Sequence, residues 1–268
     1  MSTKSTADRD RTREIREKAN AARREAERRA RRRRVLMQLG VGAAVVVVIA
    51  GIVGGVSALG GQGAADAAPP VADASVALAS GGEARVTAEA DGVGVGDPAA
   101  PVTLDVYEDY SCPHCAEYEA ANGPLLDRLA ASGQVRVVYH PIQVVTNYGR
   151  TAGNAAACVL QSDPSAWPEV HSALFANHSA GTDSWTGADF AAWLADQGVA
   201  DEAVPACAED GPFAGWIDAN TDAAFAAGVK GTPTLRIDGG IVETVGGAQL
   251  VDALRGAGAT LPDEIVAG

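Results

Sequence analysis

The sequence predicts an α/β domain: a strand-helix-strand unit, then a long helical stretch, then a β-hairpin and a closing helix. Three observations predict it. The apolar alternation Val102, Leu104, Val106 gives way at Cys112 to a helix-forming run, and apolar β-type residues return at Val135, Val137 and Tyr139. From Pro141 to about Lys230 the chain carries alanine-rich runs of helical character. Beyond Gly231-Thr232-Pro233-Thr234, two short apolar stretches flank Asp238-Gly239-Gly240, which is a hairpin signal.

The elements follow in order from a charged start. Residues 1–34 hold 14 Lys and Arg against 6 Asp and Glu, which leaves 7 basic against 28 acidic residues for the rest of the 268. The basic run ends in Arg31-Arg32-Arg33-Arg34, and no charged residue follows until Asp66. Such an interval exceeds the ~20 residues that a bilayer-spanning helix needs. A basic cytoplasmic segment (1–34) and a transmembrane helix (35–59) are therefore expected, with everything beyond them outside the cell membrane. The alternative is a cleaved signal peptide, but the leader and the apolar core are both long for one. Residues 60–82, rich in Gly, Ala, Ser and Pro, read as a flexible linker to a domain over 83–268.

Within that domain Ala84 to Ala90 is a possible first strand, and Gly92 to Pro98 reads as a turn, since it lacks the lysine of a phosphate loop. Val102 to Glu108 is the strand before the helix that starts near Pro113. Gly123-Pro124 is expected to bend or break that helix. Gln134 to His140 is an interior strand, and strand-helix-strand order implies parallel pairing. Helices are expected at Ala152–Leu160, Ser165–Asn177, Gly187–Gln197, Ala200–Ala208 and Phe213–Ala227. Strands follow at Leu235–Asp238 and Ile241–Val245, with a last helix at Gln249–Arg255.

The chemistry concentrates at Cys112-Pro113-His114-Cys115. A cysteine at a strand-to-helix corner faces unpaired backbone N–H groups and the positive end of the helix dipole, both of which favour thiolate. Cys112 should therefore be acidic and exposed. Cys115, three residues on, shares the helix face and can close a disulfide with it. Pro113 fits the first turn, where its missing N–H costs nothing. The His114 imidazole could hold positive charge or donate to the Cys112 thiolate, stabilising the reduced pair. A zinc site would need a second ligand pair. Cys158 and Cys207 are 49 positions apart with no ligand-spaced neighbours, so no metal is expected.

The tetrapeptide at such a corner resembles the DsbA family of thiol-disulfide oxidoreductases. The resemblance implies a thioredoxin-like fold with a helical insertion, here about 141–230, between the central strand and a cis-proline loop at Thr232-Pro233. It places the Thr232 backbone beside Cys112, where it can pair with an extended substrate segment, and it implies a quinone-linked membrane partner of the DsbB or vitamin K epoxide reductase type. The chain departs from the family at Val106, six positions before Cys112, where relatives often carry an acid. Asp105 or Glu108 are the remaining candidates for the proton acceptor of Cys115.

The four cysteines all follow the apolar segment, in what would be an oxidising compartment, so Cys158 and Cys207 are expected to be bonded; two buried free thiols are the alternative. His171 and His178, seven apart on a predicted helix, read as packed or solvated side chains, and the four tryptophans as packing residues. The acidic remainder offers no phosphate-binding surface, which excludes a nucleic-acid role for the exported part. No cofactor is expected. The function read from the sequence is a membrane-tethered oxidase that donates the Cys112–Cys115 disulfide to exported proteins. The alternatives are a disulfide reductase or isomerase, and a tethered binding domain whose disulfide is structural.

Overall fold

A computed structural model describes residues 68–266. The segments expected at 1–34 and 35–59 lie outside the described residues. Among the described residues no helix is long and apolar enough to cross a membrane.

The sheet has seven strands: β1 (Asp73–Ala77), β2 (Glu83–Ala88), β3 (Val93–Val95), β4 (Val102–Glu108), β5 (Val135–Pro141), β6 (Thr234–Ile237) and β7 (Gly240–Val242). Their order across the sheet is β1-β2-β3-β5-β4-β6-β7. Only β4 and β5 run parallel, in register from Val102↔Val135 to Glu108↔Pro141. They are joined by helix α1 (Pro113–Ala131), and a crossover of that kind is what a parallel pair requires. On β4, Val102, Leu104 and Val106 are essentially inaccessible, as are Val135 and Val137 on β5. Burying each such side chain contributes roughly 1.5–3 kcal/mol, so this pair anchors the domain.

Five helices fill the expected insertion: α2 (Asn147–Ser162), α3 (Trp167–Asn177), α4 (Gly187–Asp196), α5 (Ala203–Asp210) and α6 (Ala214–Ala226). A capping box at Thr186 and Asp189 starts α4, and left-handed Gly211 ends α5. Helix α7 (Gly247–Gly256) and a 3-10 turn (Asp263–Val266) complete the chain. Cys158 of α2 and Cys207 of α5 are joined by a disulfide with Cα atoms 5.8 Å apart.

Three expectations are corrected. Residues 73–77, read as part of the linker, form β1, because β2 supplies an antiparallel partner along its whole length. The segment read as a turn at 92–98 contains β3, whose Val93 and Val95 are buried between β2 and β5. Of the bend or break expected at Gly123-Pro124, the break does not occur: helix α1 runs through both residues. There Gly123 has a packing role: a Cβ on it would come within 2.7 Å of the Glu119 carboxylate.

Candidate functional site

Strand β4 delivers the chain to the N-terminus of α1, with Cys112 as the N-cap in extended conformation (φ −87°, ψ 118°) and Pro113 in the first turn. The parallel pair puts the ends of β4 and β5 at one edge. The antiparallel neighbour β6 begins at that same edge, where the Thr232–Pro233 peptide bond is cis. This brings Cys112 Sγ to 3.4 Å from the Thr232 carbonyl oxygen, to which the thiol can donate.

Both cysteines are free thiols in this structure. The Cys115 thiol donates to Cys112, which is the largest of the effects holding the Cys112 pKa at about 5, against an ordinary 9.0. Burial opposes the shift, while Thr232 and the backbone N–H groups of Cys115 and His114 add to it. The Thr232 hydroxyl is buried and has no other partner, so its proton is available to the thiolate. The same Cys115-to-Cys112 hydrogen bond, followed by burial, pushes the Cys115 thiol far above its usual range. The arrangement is thus asymmetric, with one sulfur ready to ionise and the other holding its proton.

Two expectations about this site are corrected. Cys112 is not freely exposed: only 5% of its surface is accessible, because the Thr232 loop lies over it. The His114 ring does not reach the thiolate; it points into solvent and contacts Glu117 at 3.3 Å. It is the backbone N–H of His114, through the helix N-terminus, that reaches the sulfur.

Asp109 is a site residue that sequence reasoning passed over. Its carboxylate is fully buried and accepts from Ser111 N (2.7 Å), Ser111 Oγ (2.5 Å), Val144 N (2.6 Å) and Val145 N (2.8 Å). Ser111 Oγ in turn accepts from Thr146 N at 3.0 Å. The loop before Cys112 is therefore tied to the loop after β5. Gly149 is part of the same fit, since a Cβ there would overlap the Asp109 carboxylate.

Behind the dithiol helix lies a second buried group. Glu108 shares the inward face of β4 with Val106, and burial, followed by the charges of Glu119 and Asp109, raises its pKa well above normal. His171 sits between it and Glu119, with Nδ1 3.5 Å from Glu108 and Nε2 3.9 Å from Glu119. Tyr110 Oη contacts His171 Nδ1 at 2.9 Å, and Ser172 donates to Glu119 at 2.6 Å. Burial pushes Glu119 up and His171 down to about 3. Glu119 also lines a cleft of about 610 Å³ between α1, α3 and the turn after β1. Asp105 lies on the other face of β4 and contacts His140 at 3.1 Å, away from this group. His178 lies past the end of α3 against Asp183, apart from His171. Trp167 and Trp216 are buried packing residues.

A strand-helix corner bearing an acidic, paired thiol beside a cis-proline loop defines a thioredoxin-type dithiol site. The sequence profile of the family described as Thioredoxin matches residues 88–255, and the chain belongs to that family. Among solved structures it is similar to reduced DsbA from Mycobacterium tuberculosis, with 25% identity, a TM-score of 0.54, and coverage of 66% of this chain and 98% of that one. Reduced DsbG from the same organism is 27% identical, with a TM-score of 0.52 and coverage of 65% and 88%. MdbA from Corynebacterium diphtheriae shares the fold at 20% identity, a TM-score of 0.53, and coverage of 74% and 99%. The chain is a thiol-disulfide oxidoreductase of the DsbA type. A 92-residue stretch, 32% of the chain, is 34% identical to part of the serine/threonine-protein kinase PknE of M. tuberculosis; the chain spans only 16% of the length of that relative.

Proposed function

We propose that this enzyme is a disulfide donor to exported polypeptides, held at the membrane by residues 35–59 and working through Cys112 and Cys115. The supporting observation is the Cys112 pKa of about 5, because a thiolate so well stabilised is a good leaving group and makes the disulfide form oxidising. In the oxidised enzyme a substrate thiolate attacks Cys112, forming a mixed disulfide and releasing Cys115, which takes up a proton. A second substrate thiolate then attacks the substrate sulfur, and Cys112 leaves as thiolate. The substrate loses two electrons and two protons; the enzyme keeps the electrons and one proton at Cys115, and the other proton goes to solvent. A quinone-linked membrane partner would accept the two electrons. Pro113 fixes the helix start, and the Thr232-Pro233 backbone is placed to align the substrate segment. His114 contributes through its backbone N–H.

The test is oxidation of a reduced, unfolded protein by the full chain, wild type against Cys112→Ser. Wild type should turn over and the variant should not; equal rates reject the mechanism. The reduction potential sets direction. A value near the about −270 mV of thioredoxin would make the enzyme a reductase or isomerase, and one near about −120 mV a donor.

A further inference from the structure

The chain between β7 and α7 joins two parts of the redox site to each other. The pairing of β6 with β7 runs Leu235↔Val242, Arg236↔Ile241 and Ile237↔Gly240, so the same register carried outward sets Thr244 opposite Pro233. Proline has no N–H with which to continue the ladder. A side chain takes over: Thr244 Oγ1 donates to the Pro233 carbonyl at 3.1 Å.

The residues that follow cross to the dithiol helix. Tyr118 Oη donates to the Val245 carbonyl at 3.1 Å, and the Gly247 N–H donates to Asn122 Oδ1 at 3.0 Å. The second bond has a clear cause. Gly246 is the N-cap of α7 and has no side chain to satisfy that helix's free N–H groups, so α1 supplies the acceptor. Asn122 is buried and is itself fixed, its amide donating to the Tyr118 carbonyl at 3.1 Å. A Cβ on Gly246 would overlap the Asn122 side chain, so this strap lies directly on α1. Cys115, Tyr118 and Asn122 follow one another at helical spacings of three and four, which puts the strap on the face of α1 that carries Cys115.

Together these contacts close a ring. It runs from Cys112 Sγ to the Thr232 carbonyl, along the chain to Pro233, across to Thr244, through Val245 to Tyr118, and back along α1. Thr232 presents two polar atoms at this site, the carbonyl oxygen 3.4 Å from the sulfur and a buried hydroxyl with no other partner. Hydrogen bonds weaken steeply as their geometry loosens, and those to an ionised group are the strong ones. Whatever fixes Thr232 against Cys112 therefore sets how firmly the thiolate is held. We propose that Thr244 and Tyr118 are positioning residues whose hydroxyls clamp the Thr232-Pro233 segment to the dithiol helix and thereby hold up the reduction potential of the Cys112–Cys115 pair. The proposal deepens the function proposed above, since it rests on Cys112 being the attacking sulfur.

The test equilibrates the full chain with glutathione buffers at pH 7 and follows iodoacetamide modification of Cys112 across pH on the same proteins. Thr244→Val and Tyr118→Phe keep the side-chain shape and remove only the hydroxyl. Thr244→Val should lower the equilibrium constant for oxidising glutathione by about fivefold, a fall in potential of about 20 mV, and should raise the midpoint of Cys112 modification. Tyr118→Phe should act in the same direction by about threefold, because Asn122 still holds the strap at Gly247. Once Thr244→Val has opened the ring, adding Tyr118→Phe should change nothing further. Thr244→Ser should restore the wild-type value, and Thr151→Val, whose lost hydroxyl bonds within α2, should leave it unchanged. An unchanged potential in either single variant, a double variant that falls by the product of the two, or a Thr244→Ser value matching Thr244→Val overturns the proposal. A wild-type Cys112 that is modified only at alkaline pH would instead overturn the reading of Cys112 itself, and the clamp with it.

Discussion

The proton count of the dithiol is the sharpest consequence of its asymmetry. Cys112 titrates at about 5 and Cys115 only far above the usual range, so across neutral pH the reduced enzyme holds one thiolate and one thiol. Reduction then takes up two electrons and one proton above pH ~5, and two protons below it. The potential should fall by about 30 mV per pH unit above the break and by about 59 mV below it. Stability of the reduced form carries the same signature. The Cys112 pKa is depressed on folding, so its stabilisation of the reduced form is complete at pH 9.0 and above, declines as pH falls, and is gone below about pH 5. At pH 7 the folded protein favours thiolate over thiol by about a hundredfold, which stabilises the reduced form by up to about 2.7 kcal/mol, or about 60 mV; solvent reaching the rim of the site lowers this figure. The assay is equilibration with glutathione buffers from pH 4 to 9, with thiolate absorbance at 240 nm followed in parallel. A slope of 59 mV sustained to pH 8, or no absorbance step near pH 5, would refute the reasoning.

Three further outcomes are expected. Replacing Cys158 and Cys207 by alanine opens a loop spanning 49 positions and should destabilise the domain by up to about 4 kcal/mol in urea unfolding, with Cys112 reactivity unchanged. Gly149→Ala pushes a methyl group into the Asp109 carboxylate and should cost roughly 1–3 kcal/mol, read as a lower melting temperature; an unchanged one would contradict the packing described around Asp109. His171, held neutral down to about pH 3 by burial, takes a proton in the unfolded chain from about pH 6.5 downward, so it destabilises the fold as pH falls through that window. His171→Phe should flatten the loss of stability between pH 6.5 and 4 in denaturant titrations; an identical pH profile would contradict it. Glu108 and Glu119, whose pKa values are raised, act in the opposite sense and lose stabilisation as pH rises.

What could be read from the sequence was local. The corner at Cys112, the hairpin at Asp238-Gly239 with its two left-handed residues, and the alanine-rich helices all carry their signals within a few positions. Strand β1 was hidden because Asp73–Ala77 has the composition of a linker and becomes a strand only through β2. Strand β3 was hidden by Gly94, whose missing side chain leaves room for Arg136, Glu89 and Thr87. Asp109 was not legible as a site, and of the Glu108–His171–Glu119 group only Glu108 was singled out, because their partners come from distant segments. Tyr110 and His171 touch across 61 positions, and only the packing of α3 behind α1 brings them together. The orientation of His114 was a matter of rotamer, and its exposed partner Glu117 gave no usable signal.

The most direct test of the account is alkylation of the reduced full chain with iodoacetamide at pH 6, mapped by mass spectrometry. Rapid modification confined to Cys112, with Cys115 untouched, is the expected result. Equal modification of both sulfurs, or preferential modification of Cys115, would contradict the assignment of Cys112 as the ionised, attacking sulfur.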